Sequence, residues 1–126
     1  MKYITLIIGL LVAVGCINSP EEKVAGTYAM DEGGVIIMVL REREGIHVVE
    51  GYTLGEFDGG AESYKIVGKE VHVHEGKFLL GHDACAVFKI EPNGDLTPFA
   101  AIDKGMRKEF PKKLQITWKK VGGVPE

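Results

Sequence analysis

From residue 24 onward, apolar side chains recur at every second position in short runs, and each run ends in a break that carries glycine or proline. Alternation of period two sends successive side chains to opposite faces of an extended chain, so the pattern predicts strands rather than helices. The runs fall at 24–30, 35–41, 46–53, 62–67, 69–75, 84–91, 96–103 and 114–121. Between them stand Gly33-Gly34, Arg43-Glu44-Gly45, Asp58-Gly59-Gly60, Gly68, Gly76-Lys77 and Pro92-Asn93-Gly94-Asp95. Glycine supplies the positive φ that tight hairpins require. The parity assigns faces: Leu114, Ile116 and Trp118 oppose Gln115, Thr117 and Lys119, and Val71 and Val73 oppose His72 and His74. Likewise Phe88 and Ile90 oppose Val87 and Lys89, and Tyr64 and Ile66 oppose Ser63 and Lys65. Val35 to Leu40 is apolar on both faces, so that strand is either covered outside or leaves a sticky stripe. Pro98 has no N–H for a ladder and marks a bulge or an edge.

Eight short strands in series predict an all-β domain, a single small antiparallel meander closed into a barrel, which removes the free edges that invite aggregation. A barrel of that size is filled by side chains or holds one small ligand. The inward positions to watch for such a cavity are Tyr28, Met30, Tyr64, Ile66, Phe88 and Trp118.

The first residues follow a different rule. Met1 and Lys2 precede an apolar run from Ile4 to Val14, broken only by Thr5 and Gly9 and followed by Gly15-Cys16. That run is shorter than the roughly 20 apolar residues a membrane span needs. A basic start, a short apolar core and a small residue at the cut are the marks of an export signal. Ala13-Val14-Gly15-Cys16 resembles the lipobox of bacterial lipoproteins. The resemblance implies that 1–15 is a signal peptide and that Cys16 carries diacylglycerol and further acyl chains such as palmitate. Residues 16–23 would then be a lipidated tether and 24–122 the β domain. Two acyl chains hold a protein stably on a membrane where one does not. The expected location is a bacterial cell membrane or outer membrane, with the domain in the periplasm or outside the cell.

The opening Val24-Ala25-Gly26-Thr27-Tyr28 resembles the Gly-x-aromatic start of lipocalin-like barrels, with Tyr28 at the aromatic position. Nearly the whole mature chain is also similar to small bacterial lipoproteins of uncharacterised function, through Gly26-Thr27-Tyr28, Ile66 to His72 and Phe88 to Leu96. These likenesses imply fold and location and bring no activity.

Charge and cysteine content narrow the functions. The formal net charge is −3, and loss of Lys2 with the signal makes the mature chain more acidic, which opposes nucleic-acid binding. Residues 16–64 carry ten acidic and three basic side chains, and residues 65–126 carry eight and eleven. With Cys16 acylated, Cys85 has no partner for an intramolecular disulfide, so the fold must stand on its core.

His72 and His74 share one face of a strand, and His82 and Cys85 follow the next hairpin; together they are candidate zinc or copper ligands. By parity Cys85 joins the face of Val87, away from Phe88, and so the outer face of the histidines. Asp58 to Glu62 lacks the ligand pattern of a calcium loop and reads as a turn. The segment 105–113 is the longest irregular link, with Phe110 among basic residues as either a contact or a plug. No phosphate loop or dinucleotide fingerprint is present, and no resident cofactor is expected. The expected function is a monomeric, non-enzymatic, lipid-anchored binding or interaction module for a small apolar ligand or a protein partner. The alternative is a metal-binding envelope lipoprotein using His72, His74, His82 and Cys85.

Overall fold

The computed structural model describes residues 19–30, 35–74 and 84–125; the side chains of 58–62 lie outside that description, as do Cys16 and His82. A short helix α1 (Pro20–Val24) precedes strands β1 (Gly26–Ala29), β2 (Ile36–Arg43), β3 (Ile46–Thr53), β4 (Glu56–Val67) and β5 (Glu70–Val73). Then come β6 (Cys85–Ile90), β7 (Leu96–Asp103), β8 (Met106–Glu109), a 3-10 turn (Lys112–Leu114) and β9 (Lys119–Gly122). Among the described residues, the nine strands form one antiparallel sheet in the order β8-β7-β6-β5-β4-β3-β2-β1-β9.

The protein is therefore all-β, as the alternation predicts, but the ladder is not closed. Among the described residues its margins meet through one backbone pair, in which the Leu96 N–H donates to the Trp118 carbonyl at 3.0 Å and the Trp118 N–H donates back at 2.6 Å, flanked by a side-chain bond between Thr97 and Thr117 and another from the Lys120 N–H to the Asp95 carboxylate. The reason lies in the last part of the chain. β8 runs beside the second half of β7, the chain then leaves the ladder at Pro111 for the 3-10 turn, and it rejoins at Trp118 to pair with β1. The expected strand 114–121 is thus only its second half: Leu114 and Ile116 are exposed, and Trp118 alone of the three faces the core. The expected irregular link 105–113 contains β8.

One face of the curled sheet makes the core. Tyr28, Met38, Leu40, Val49, Tyr64, Val71, Val73, Phe88, Leu96 and Trp118 are all buried there, with Ile66 and Ile90 packed against them. Register explains the set, because Tyr28 pairs with Met38, Leu40 with Val49, Tyr64 with Val73 and Val71 with Phe88. Each such pair brings two apolar side chains together on the same face. The opposite face of β2 and β3 is covered too. Val39 lies across from Glu50, and both are buried. At Pro98 the expected bulge is present: Phe88 pairs with Pro98 and Val87 with Ala100, which leaves Phe99 as the extra residue.

The polar stretch before the domain holds α1. Ser19 caps it by accepting from the Glu22 N–H at 3.2 Å, Pro20 opens it, and Glu21 and Glu22 sit in its first turn. The helix is tied down from the core. Tyr28 donates its hydroxyl to the Val24 carbonyl at 2.6 Å, and Tyr64 donates to the Glu21 carbonyl at 2.9 Å. β3 pairs with β4 no further than Ser63, and the Glu21 carboxylate takes the freed Ile66 N–H at 3.0 Å. The helix therefore fills the gap where two parts of the sheet part company. Burial pushes the Tyr28 hydroxyl up to about 12, with nearby Asp95 adding to it, and burial likewise raises Tyr64.

Candidate functional site

The antiparallel meander has two ends. At the α1 end lie the turns Glu44-Gly45 and Gly68-Lys69 and the turn after Glu91; at the far end lie Leu54-Gly55 and Lys104-Gly105. In Glu44-Gly45, Leu54-Gly55 and Lys104-Gly105 both residues have positive φ, the geometry of the type I′ hairpin that fits the twist of paired strands. Asparagine and aspartate are the favoured first residues of that turn. Leucine is not, yet Leu54 holds φ 54° while 76% of it faces solvent. Phe57 on the same hairpin and Met106 beside the β7–β8 turn are also exposed, as are Val35 and Ile36 at the start of β2. The far end thus exposes apolar side chains at its hairpin tips.

The interior candidates fall into two groups. Tyr28, Tyr64, Phe88 and Trp118 are buried and belong to one contiguous core cluster, against which the partly buried Ile66 packs. Met30 does not join them. Parity points it inward, but β1 ends at Ala29 and the chain bends, so Met30 is 36% exposed.

The metal candidates are placed as follows. His72 pairs across the ladder with Val87, and Cys85 lies two residues along β6 from Val87, so His72 and Cys85 share the face opposite the core. His74 is exposed just past β5. His72 is otherwise engaged, with Nε2 at 3.0 Å from Glu70 Oε1. Among the described residues no three His, Cys, Asp or Glu side chains converge as a metal site would require. The Cys85 thiol is free, and burial pushes its pKa up against the opposing pull of Lys65.

Two ion-pair clusters brace the outer faces. On β3 the buried Glu50 carboxylate takes Arg43 through Nε, takes it again through Nη2 at 3.3 Å, and accepts the Tyr52 hydroxyl at 3.2 Å. On β5 the Glu70 carboxylate receives Arg107 in a two-point bond, Nη1 at 3.0 Å and Nη2 at 2.6 Å, and so ties β5 to β8 across two intervening strands. Arg107 also lies over the Phe99 ring at 5.4 Å.

The Arg107 bonds first, and the His72 contact second, hold the Glu70 carboxyl down at about 2, below its ordinary 4.5. A group whose acidity is raised by folding stabilises the fold above its unfolded value and loses that contribution as pH falls toward the folded one. The urea midpoints of the wild type and Glu70→Gln are therefore expected to differ most at neutral pH and to converge between pH 4.5 and about 2. The pair is partly exposed, so the neutral-pH gap is about 0.2–1 kcal/mol. A gap that stays constant with pH would remove the ionised Glu70 from the account.

At the α1 end a cleft of about 320 Å³ is lined by Glu21, Glu22, Glu42, His47, Tyr64 and Val124. The His47 and Tyr64 rings meet at 5.7 Å, and both His47 ring nitrogens are buried without a hydrogen-bond partner. Three carboxylates give its mouth a negative potential. Sequence reasoning passed over this cleft because its residues come from four separate segments, although Ser19-Pro20-Glu21-Glu22 is a legible helix start.

No helix among the described residues is long and apolar enough to cross a membrane. Compared with protein-family models, curated proteins and solved structures, the chain matches none of them.

Proposed function

We propose that the protein is a lipid-anchored cell-envelope lipoprotein, held by diacylglycerol on Cys16, whose lipocalin-like β domain is a non-enzymatic module that binds a protein partner. The observation that carries this reading is the far end. Leu54, Phe57 and Met106 expose apolar surface on hairpin tips at the end opposite α1, where the chain leaves toward Cys16. Exposed apolar side chains on hairpin tips suit association with another protein. The partner surface takes precedence over an interior ligand because Tyr28, Tyr64, Phe88 and Trp118 pack into one core.

Leu54→Asn makes a selective test. Asparagine is favoured at this left-handed turn position, so stability should hold or rise by a few tenths of a kcal/mol up to about 1 kcal/mol while the apolar tip is lost. A photo-crosslinking residue at position 57, used in intact cells, is expected to give a protein adduct of one defined mass that Leu54→Asn with Met106→Ser abolishes. No adduct, or an adduct indifferent to both substitutions, would end the far-end reading.

A further inference from the structure

We propose that the α1 end is a bilayer-docking face, with Ile46, Val67 and Val124 seated among the headgroups of the membrane that holds the Cys16 lipid. This rests on the anchor reading above and adds to it a fixed orientation of the domain. The first support is the length of chain available. Only Ile17 and Asn18 separate Cys16 from Ser19, the cap of α1, so the lipidated residue lies within about 11 Å of the helix at full extension. The helix itself has no slack, because Tyr28, Tyr64 and the Ile66 N–H hold its backbone and the Glu21 carboxylate. A headgroup layer is roughly 5–8 Å deep on each side of the hydrocarbon. A cysteine at its inner boundary therefore draws the α1 end onto the surface.

The second support is what stands at that end. Gly26 pairs with Leu40, and the β2–β3 hairpin continues to the pair Arg43 and Ile46, so its tip projects about 10 Å past the start of β1. Ile46 is exposed there, Val67 is exposed at the β4–β5 tip, and Val124 is exposed on the tail, which Arg41 holds by donating to the Pro125 carbonyl at 3.4 Å. Lys65 and Lys69 flank Val67 on the same hairpin, whereas the Lys120 ammonium donates to the Lys23 carbonyl at 3.4 Å. Lysine stems lie along apolar surface while the ammonium reaches phosphate, a pairing suited to an interface. Glu21, Glu22 and Glu42 at the same end, and the exposed Glu44 at the β2–β3 tip itself, oppose deeper burial, so contact is limited to the apolar side chains of the tips.

With the α1 end seated and the strands upright, the larger apolar side chains at the far end stand off the same membrane. The eight residues of β3 span about 26 Å between the two ends, more than the two-residue spacer can offset.

The test uses the full lipidated chain with Cys85→Ser, reconstituted in vesicles of phosphatidylethanolamine and phosphatidylglycerol. Single cysteines replace Ile46, Val67 or Val124, and separately Leu54 or Met106, and carry an environment-sensitive fluorophore. Expected are blue-shifted emission and quenching by nitroxide lipids at 46, 67 and 124, with neither at 54 and 106. Ile46→Ser with Val67→Ser should then abolish the shift at 124 while the protein stays on the vesicles. Shifts at the far end, at both ends or at none would overturn docking while leaving the anchor intact. A mass showing two fluorophores per chain would mean that the Cys16 thiol is free, and the anchor reading would fall, taking the docking proposal with it.

Discussion

Phe88→Ala is expected to lower the unfolding free energy by about 3–5 kcal/mol, the range for removing a large aromatic from a packed core. Phe88 is about 1% exposed and pairs across the ladder with Val71 on one side and Pro98 on the other. β6 is hydrogen-bonded to β5 on one side and to β7 on the other, which limits how far the backbone can close into the space. Domains of this size have only about 5–15 kcal/mol in total, so the variant should melt well below the wild type. Equilibrium urea unfolding measures it. A loss under about 1 kcal/mol would show that the interior is loosely filled, and the reading of a small-ligand cavity would return.

Gly26→Ala should cost about 2–6 kcal/mol by a different route. A Cβ at Gly26 would stand 2.7 Å from the Gly122 carbonyl oxygen and 2.8 Å from Lys120 Cε. The lysine end can move, but the carbonyl belongs to β9 and cannot without breaking its pairing with β1. The φ of 153° adds backbone strain for any residue with a Cβ. Overpacking and strain each contribute about 1–3 kcal/mol. Hydrogen exchange should show β9 amides losing protection before those of β2 to β6. Uniform loss across the sheet would mean that the clash is absorbed elsewhere. The result would give the Gly26-Thr27-Tyr28 opening a physical basis: close approach of the last strand at the glycine, and a buried hydroxyl bond to α1 at the tyrosine.

The strands with one apolar and one polar face were legible in the sequence because burial imposes period two on them. β3, β5, β6 and β7 lie close to where alternation puts them, and β2, apolar on both faces, was legible as an unbroken apolar run after Gly33-Gly34. The failures have separate causes. β8 is exposed along its whole length, so Met106-Arg107-Lys108-Glu109 carries no alternation to read. Leu114, Ile116 and Trp118 do alternate, but Pro111 has no N–H to continue a ladder, and the Gln115 side chain bonds the Phe110 carbonyl at 2.9 Å, holding the excursion out. Asp58-Gly59-Gly60 reads as a turn from glycine content, yet it lies inside β4 beside two register shifts, while the true turn is at Leu54-Gly55. The far-end tips were equally hidden, since Leu54 fell in the unassigned stretch between the runs 46–53 and 62–67, where the glycines at 59 and 60 marked the turn instead. The shared face of His72 and Cys85 followed from parity, whereas the engagement of His72 by Glu70 depends on a neighbour that no periodicity reveals.

The split of the last ladder segment has a consequence for how such a chain can change over generations. Between Phe110 and Thr117 the backbone lies outside the paired strands, anchored on one side by the Phe110 N–H to Phe99 and on the other by the Leu96–Trp118 pair. Residues gained or lost inside that interval leave both registers untouched, whereas a single insertion within β7 would turn its remaining side chains over. Lineages carrying this fold should therefore vary in length at 111–116 before they vary anywhere in the strands, and a new binding loop would arise there with least disturbance to the rest of the sheet.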